Sequence, residues 1–143
     1  MKRLHTDERG IAAVEAALGL LILVPLLLVL IEASRALMEY SQLQNATMEG
    51  ARMLSRQNGD TSGVADYINS LFSNADGSST VEGDAPTVAI GPRDANNNVT
   101  VQVDHVFTPF LSQQSGDSGI FGLLGSNAFT LSTTTVVALP AAN

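Results

Sequence analysis

The chain has no cysteine. Disulfides, thiolate nucleophiles and cysteine-based metal centres are therefore excluded, and an exported domain of this sequence must hold by packing alone. Histidine occurs only at His5 and His105, too few for a histidine-based metal centre. Aromatic residues make up 5% against 45% hydrophobic residues overall, so a core must be built from aliphatics, alanine and threonine. Basic residues are also scarce. Lys and Arg total 7 against 14 Asp and Glu, for a formal net charge of −7. Beyond Ile31 only Arg35, Arg52, Arg56 and Arg93 oppose eleven acids. Such a body lacks the clustered cations that nonspecific nucleic-acid binding or docking on anionic headgroups requires. No phosphate loop or dinucleotide fingerprint is present, and no cofactor or small-molecule substrate is expected.

What the chain does have is a long apolar run. From Ile11 to Ile31 the only ionisable residue is Glu15. A helix of that length spans about 30 Å, the thickness of a bilayer's hydrocarbon core. Lys2, Arg3 and Arg9 precede it and favour a cytoplasmic N-terminus, with everything after Glu32 outside the cytoplasm. Pro25 removes one helical hydrogen bond and is expected to bend the helix near residues 21–25. A cleaved secretory signal fits poorly, because the apolar run exceeds a signal's h-region and the residues before Ser34 make a poor cleavage pattern. A plain signal-anchor leaves Glu15 without a purpose. A carboxylate in a bilayer costs roughly 3 kcal/mol or more.

Gly10 followed by Ile11-Ala12-Ala13-Val14-Glu15 resembles the processing site of type IV prepilins. The resemblance implies a leader, residues 1–10, cut by prepilin peptidase between Gly10 and Ile11. The new amine of Ile11 would lie one helical turn from Glu15. In such filaments the carboxylate pairs with the N-terminal amine of a neighbouring subunit, which offsets its burial. By that analogy Glu15 sets the register of assembly and is not a catalyst.

The helical pattern continues past the apolar run. Ala36, Tyr40, Leu43, Thr47, Ala51 and Leu54 recur at three- and four-residue intervals, while Glu32, Glu39 and Glu49 mostly fall elsewhere. Arg52 and Arg56 suit a helix C-terminus, and Gly59 in "QNGD" is a plausible cap. One helix of about 45–50 residues is implied, membrane-embedded first and amphipathic after; the alternative is two helices joined near Glu32. Arg35–Ser55 resembles the segment after the membrane helix in TadE-like proteins, pseudopilin-type components of the tight-adherence (Flp) pilus system. The matching pieces are Val14-Glu15, Leu23-Val24-Pro25, Arg35-Ala36-Leu37, Leu43-Gln44-Asn45-Ala46 and Glu49-Gly50-Ala51-Arg52. Ala16 stands where that family usually has an aromatic. Gly50 and Ala51 leave room for another backbone or strand to approach, and Arg52 can pair with Glu49.

Thr61 or Ser62 can cap a second, short helix, whose apolar face is Val64, Tyr67, Ile68, Leu71 and Phe72, ending near Asn74. Residues 74–86 read as a polar loop. Thr87–Ile90 and Val99–Phe107 alternate as strands and should form a hairpin across the Asn/Asp turn between them. Phe129–Leu139, rich in Thr and Val, makes a third strand. The apolar tip of Gly119–Gly125 is expected to tuck under the sheet. Val99–Phe107, Phe107-Thr108-Pro109, Gly119–Gly125 and Leu131–Val137 follow the order of elements in TadE-like proteins, which extends the resemblance to the body.

Other chemistry fails on spacing. Gly116-Asp117-Ser118-Gly119 resembles a trypsin-like nucleophile loop, but Asp104 and His105 are adjacent on a strand and face opposite ways. Asn58, Asp60 and Ser62 occupy calcium-loop positions, yet Asn69 falls where a bidentate Glu is needed. His105 alternates with valines, as a packed or rim residue does. The sequons at Asn45 and Asn98 matter only in a glycosylating host.

The expectation is an α+β chain: a leader (1–10), a transmembrane assembly helix (11–31) and an extracytoplasmic pseudopilin domain (32–143). That domain holds the amphipathic half of the long helix, a second short helix and a small antiparallel sheet of about three strands. The resemblance implies a non-enzymatic minor pseudopilin of the bacterial inner membrane that enters or primes a tight-adherence pilus. Its partners would be the membrane, prepilin peptidase, other pilins or pseudopilins and the pilus assembly platform. The competing expectation is an uncleaved single-pass scaffold or adaptor protein of the cell envelope.

Overall fold

A computed structural model describes residues 8–110 and 128–140. The elements are α1 (Glu8–Arg56), α2 (Val64–Ser70), β1 (Thr87–Ile90), β2 (Asn98–Phe107) and β3 (Phe129–Ala138), the α+β class expected. Residues 1–7 of the leader, Gly116–Gly119 and the Gly119–Gly125 tip lie outside the described residues. The chain divides into two units, Met1–Arg35 and Ala36–Asn143.

α1 is a single 49-residue helix, and it continues through Pro25. In the first unit its surface is open. Ile11, Val14, Leu18, Leu21 and Ile22 are exposed, and no residue of its most apolar window, mean hydropathy 2.8, is buried. One long apolar N-terminal helix of this kind fits a single-pass membrane protein.

In the second unit the amphipathic part of α1 lies under the sheet. Leu43, Ala46, Ala51 and Leu54 are buried together with Val64, Ile68, Phe72, Val99, Val101 and Val103 in one cluster. The expected helical face therefore holds at Leu43, Thr47, Ala51 and Leu54, but not at both ends: Tyr40 is exposed and Glu39 is buried. The buried position there faces β2, where Glu39 Oε2 lies 3.5 Å from His105 Nε2.

α1 ends as expected at Gly59, whose N–H donates to the Leu54 carbonyl at 2.9 Å. Asn58 and Gly59 take positive φ of 55° and 90°, the left-handed exit that closes many helices. A Cβ on Gly59 would lie 2.6 Å from Leu139 Cδ1, so the glycine serves both the turn and the packing. α2 departs from expectation in two ways. Its N-cap is Gly63, without a side-chain cap bond. Ser62 instead donates its N–H to Asp60 Oδ1 at 2.9 Å. The helix also stops at Ser70. Leu71, Phe72 and Ser73 donate to the carbonyls three residues back, tight turns that cannot continue an α-helix. Thr80 then donates to the Phe72 carbonyl at 2.7 Å, and Val81 and Pro86, inside the supposed polar loop, are buried.

The sheet is antiparallel in the order β1-β2-β3. β2 is its centre, with Val99, Val101, Val103, His105 and Phe107 buried on the inner face. The β1–β2 turn is held by Asp94, whose Oδ1 accepts from the N–H groups of Asn96 and Asn98 at 2.8 and 2.7 Å. Asn97 takes φ 60°. The Arg93 guanidinium donates to the Pro140 carbonyl, pinning the end of β3 to this hairpin.

Candidate assembly site

Gly10, Ile11, Glu15 and Pro25 all lie in α1. The register of one continuous helix places Glu15 one turn beyond Ile11, among Ile11, Val14 and Leu18, all well exposed. Glu15 is the only charged residue between Gly10 and Ile31. At the end of the apolar stretch Ser34 Oγ donates to the Leu30 carbonyl at 2.8 Å. Arg35 Nη1 meets the Glu32 carboxylate at 3.4 Å, and polar chemistry resumes there. Apolar surface with a single carboxylate offers a packing face for other helices.

The body carries two buried polar contacts between α1 and the sheet. Glu39 Oε2 lies 3.5 Å from His105 Nε2, and both residues are buried. Thr47 Oγ1 lies 2.6 Å from Thr133 Oγ1 and bonds to the Leu43 carbonyl at 2.7 Å. The sequence pattern missed Glu39 because a single acid on a helix reads as a solvated position. Its signal was its spacing, four residues before Leu43. His105 is a packed residue, as its alternation with valine suggested. Asp104 points to the opposite face, where Gln102 Nε2 donates to it at 2.9 Å, so the two make no acid–base pair.

Gly50 does create a close approach, to the side chain of Ile68 on α2 and, at 3.8 Å from an added Cβ, to that of Val101 on strand β2. A Cβ there would meet Ile68 Cδ1 at 2.4 Å. Arg52 pairs with Glu49 at 3.2 Å as expected. This ion pair lies in an open cleft of about 500 Å³ bounded by Gln42, Asn45, Leu71 and Phe72. Among the described residues no group of acidic, histidine or cysteine side chains is placed to hold a metal ion. Asp60, at the calcium-like loop, is committed to its turn. Its carboxyl is held below the ordinary range by the Ser62 side chain and then by the Ser62 N–H.

The TadE-like protein family matches residues 10–52, a span wholly inside α1. Over that span the chain is similar to TadE-like proteins. No curated protein and no solved structure matches the chain.

Proposed function

We propose, from the TadE-like character of residues 10–52, that this chain is a minor pseudopilin taking part in assembly of a tight-adherence (Flp-type) pilus. It sits as a single pass in the bacterial inner membrane, N-terminus in the cytoplasm and body outside. Prepilin peptidase cuts between Gly10 and Ile11, and the helix then packs against those of other pilins or pseudopilins at the assembly platform. The role is structural and needs no cofactor.

The supporting observation is the position of Glu15, one turn from Ile11 on an apolar helix with no buried face. A lone carboxylate in lipid carries a penalty that a neighbour's N-terminal amine removes, so subunits pack stably only in the register that joins the two.

Intact mass of the membrane-purified protein, with and without the peptidase, tests the first step. Loss of residues 1–10 supports the proposal, and a retained leader favours an uncleaved envelope scaffold. Glu15→Ala tests the second. The variant should insert in the membrane at normal levels and fail to piliate, and normal pili in that strain refute the role of Glu15.

A further inference from the structure

Among the described residues no strand pairs with the outer edge of β3. Among the described residues β3 pairs only with β2, through an unbroken register from Asn98↔Ala138 to Phe107↔Phe129. Leu139 donates its N–H to the Asn97 carbonyl at 2.8 Å, which sets the alternation along the strand. Residues 129, 131, 133, 135 and 137 direct their backbone groups to β2. Thr130, Ser132, Thr134, Val136 and Ala138 direct theirs outward. Exposed edges are ordinarily protected by lysine, proline, an inward charge or a bulge. From Phe129 to Ala138 there is no charged residue, no proline and no bulge.

A cleft of about 320 Å³ runs beside this edge, between Met48, Ala51, Arg52 and Ser55 of α1 and Thr135 and Val137 of β3. A strand added to β3 would lay alternate side chains into it. Its floor suits small aliphatic groups, and its charged wall is Arg52, which holds Glu49 through Nη1 at 3.2 Å and, 70% exposed, keeps further donors for a second carboxylate.

We propose that the β3 edge and this cleft form a strand-addition site for an extended segment of a partner protein, one that alternates small aliphatic side chains with at least one carboxylate set against Arg52. Main-chain bonds to the outward groups supply affinity, and the cleft supplies selectivity. A second copy of this chain is the poorer occupant. Its own β3 brings no carboxylate, and two acidic bodies repel.

The test uses the full-length, isotope-labelled protein in detergent micelles and a synthetic decapeptide alternating threonine with valine, with one central valine replaced by glutamate. Amide exchange is read residue by residue. In the free protein Thr130, Thr134 and Val136 should exchange fast while Thr133 and Thr135 are protected, and peptide should slow the first three. Thr134→Pro removes an outward N–H without touching the ladder to β2, and should abolish that effect while Thr133 and Thr135 stay protected. A glutamine version of the peptide, or Arg52→Gln, should weaken binding about threefold, the scale of an exposed ion pair. Slow exchange at the edge without peptide, protection that grows with protein concentration alone, or equal binding by Thr134→Pro would each overturn the proposal. Equal affinity of the glutamine peptide would overturn the assignment of an acidic partner.

Discussion

Glu39 Oε2 stands 3.5 Å from His105 Nε2 in the interior of the body, joining α1 to the central strand. Glu39 and His105 are the ionisable groups among the described buried residues.

Removing one member should cost about 1–3 kcal/mol, the scale of a buried polar group that loses a contact. Glu39→Ala and His105→Leu should each lower the urea midpoint of the full-length protein in micelles. The double variant Glu39→Leu/His105→Leu should recover most of the loss, because two packed aliphatics replace the pair. Single variants as stable as the parent would show that the contact carries no energy.

Thr47 and Thr133 have two protons for their shared bond, the Leu43 carbonyl and, at a longer 3.4 Å, the Val103 carbonyl. If Thr47 donates to Leu43, Thr133 donates to Thr47. Thr47→Val then removes both of those bonds, leaves Thr133 the Val103 carbonyl and should cost about 1–2 kcal/mol, whereas Thr133→Val leaves the Leu43 bond and should cost less. A double-mutant cycle checks this, with the two single losses summing to more than the double loss.

Gly50→Ala tests the α1–α2 approach. Alanine gains about 1 kcal/mol of helix propensity over glycine, but its Cβ would sit 2.4 Å from Ile68 Cδ1. Overpacking of this kind costs typically about 1–3 kcal/mol, so net destabilisation is expected. Ile68→Val removes the offending methyl and should recover part of the loss when combined with Gly50→Ala. Thermal unfolding followed by circular dichroism distinguishes the three variants.

The Asp94 turn should be acid-sensitive. Its carboxyl is held below the ordinary range, first by the Asn98 N–H and then by Asn96 and the Asn98 side chain. A depressed folded value means that the turn's contribution is complete above the unfolded carboxyl range, near pH 4. It is lost as pH falls through the lower folded value. The Asn98 amide should therefore shift and lose protection on acidification, at a pH below that of an ordinary aspartate. In Asp94→Asn it should show no such titration.

Much of this architecture was legible in the chain. The continuous helix over Glu8–Arg56, its switch from all-round apolar to one-sided, the hairpin and the third strand follow from periodicity and from the Asn/Asp turn. These are local signals, carried by residues a few positions apart. Most of the errors have a common source. Glu39 looked solvated, Val81 and Pro86 looked like loop, Gly50 looked like a berth for a backbone, and Thr61 or Ser62 looked like a cap. For the first three the deciding partner is distant in the chain: His105 for Glu39, Ile68 for Gly50, the sheet and α2 for the buried loop residues; for the cap it is local, Asp60 taking the Ser62 N–H.

From the order of residues alone came the apolar helix, its solitary acid, the cysteine-free acidic body and the strand count. Each depends on transfer energies and backbone periodicity, which a side chain carries with it wherever it goes. Which acid is buried, which glycine is irreplaceable and which strand edge has no paired strand among the described residues were decided only by the tertiary structure. Those properties belong to pairs of atoms brought together by folding, and no single stretch of chain contains both members.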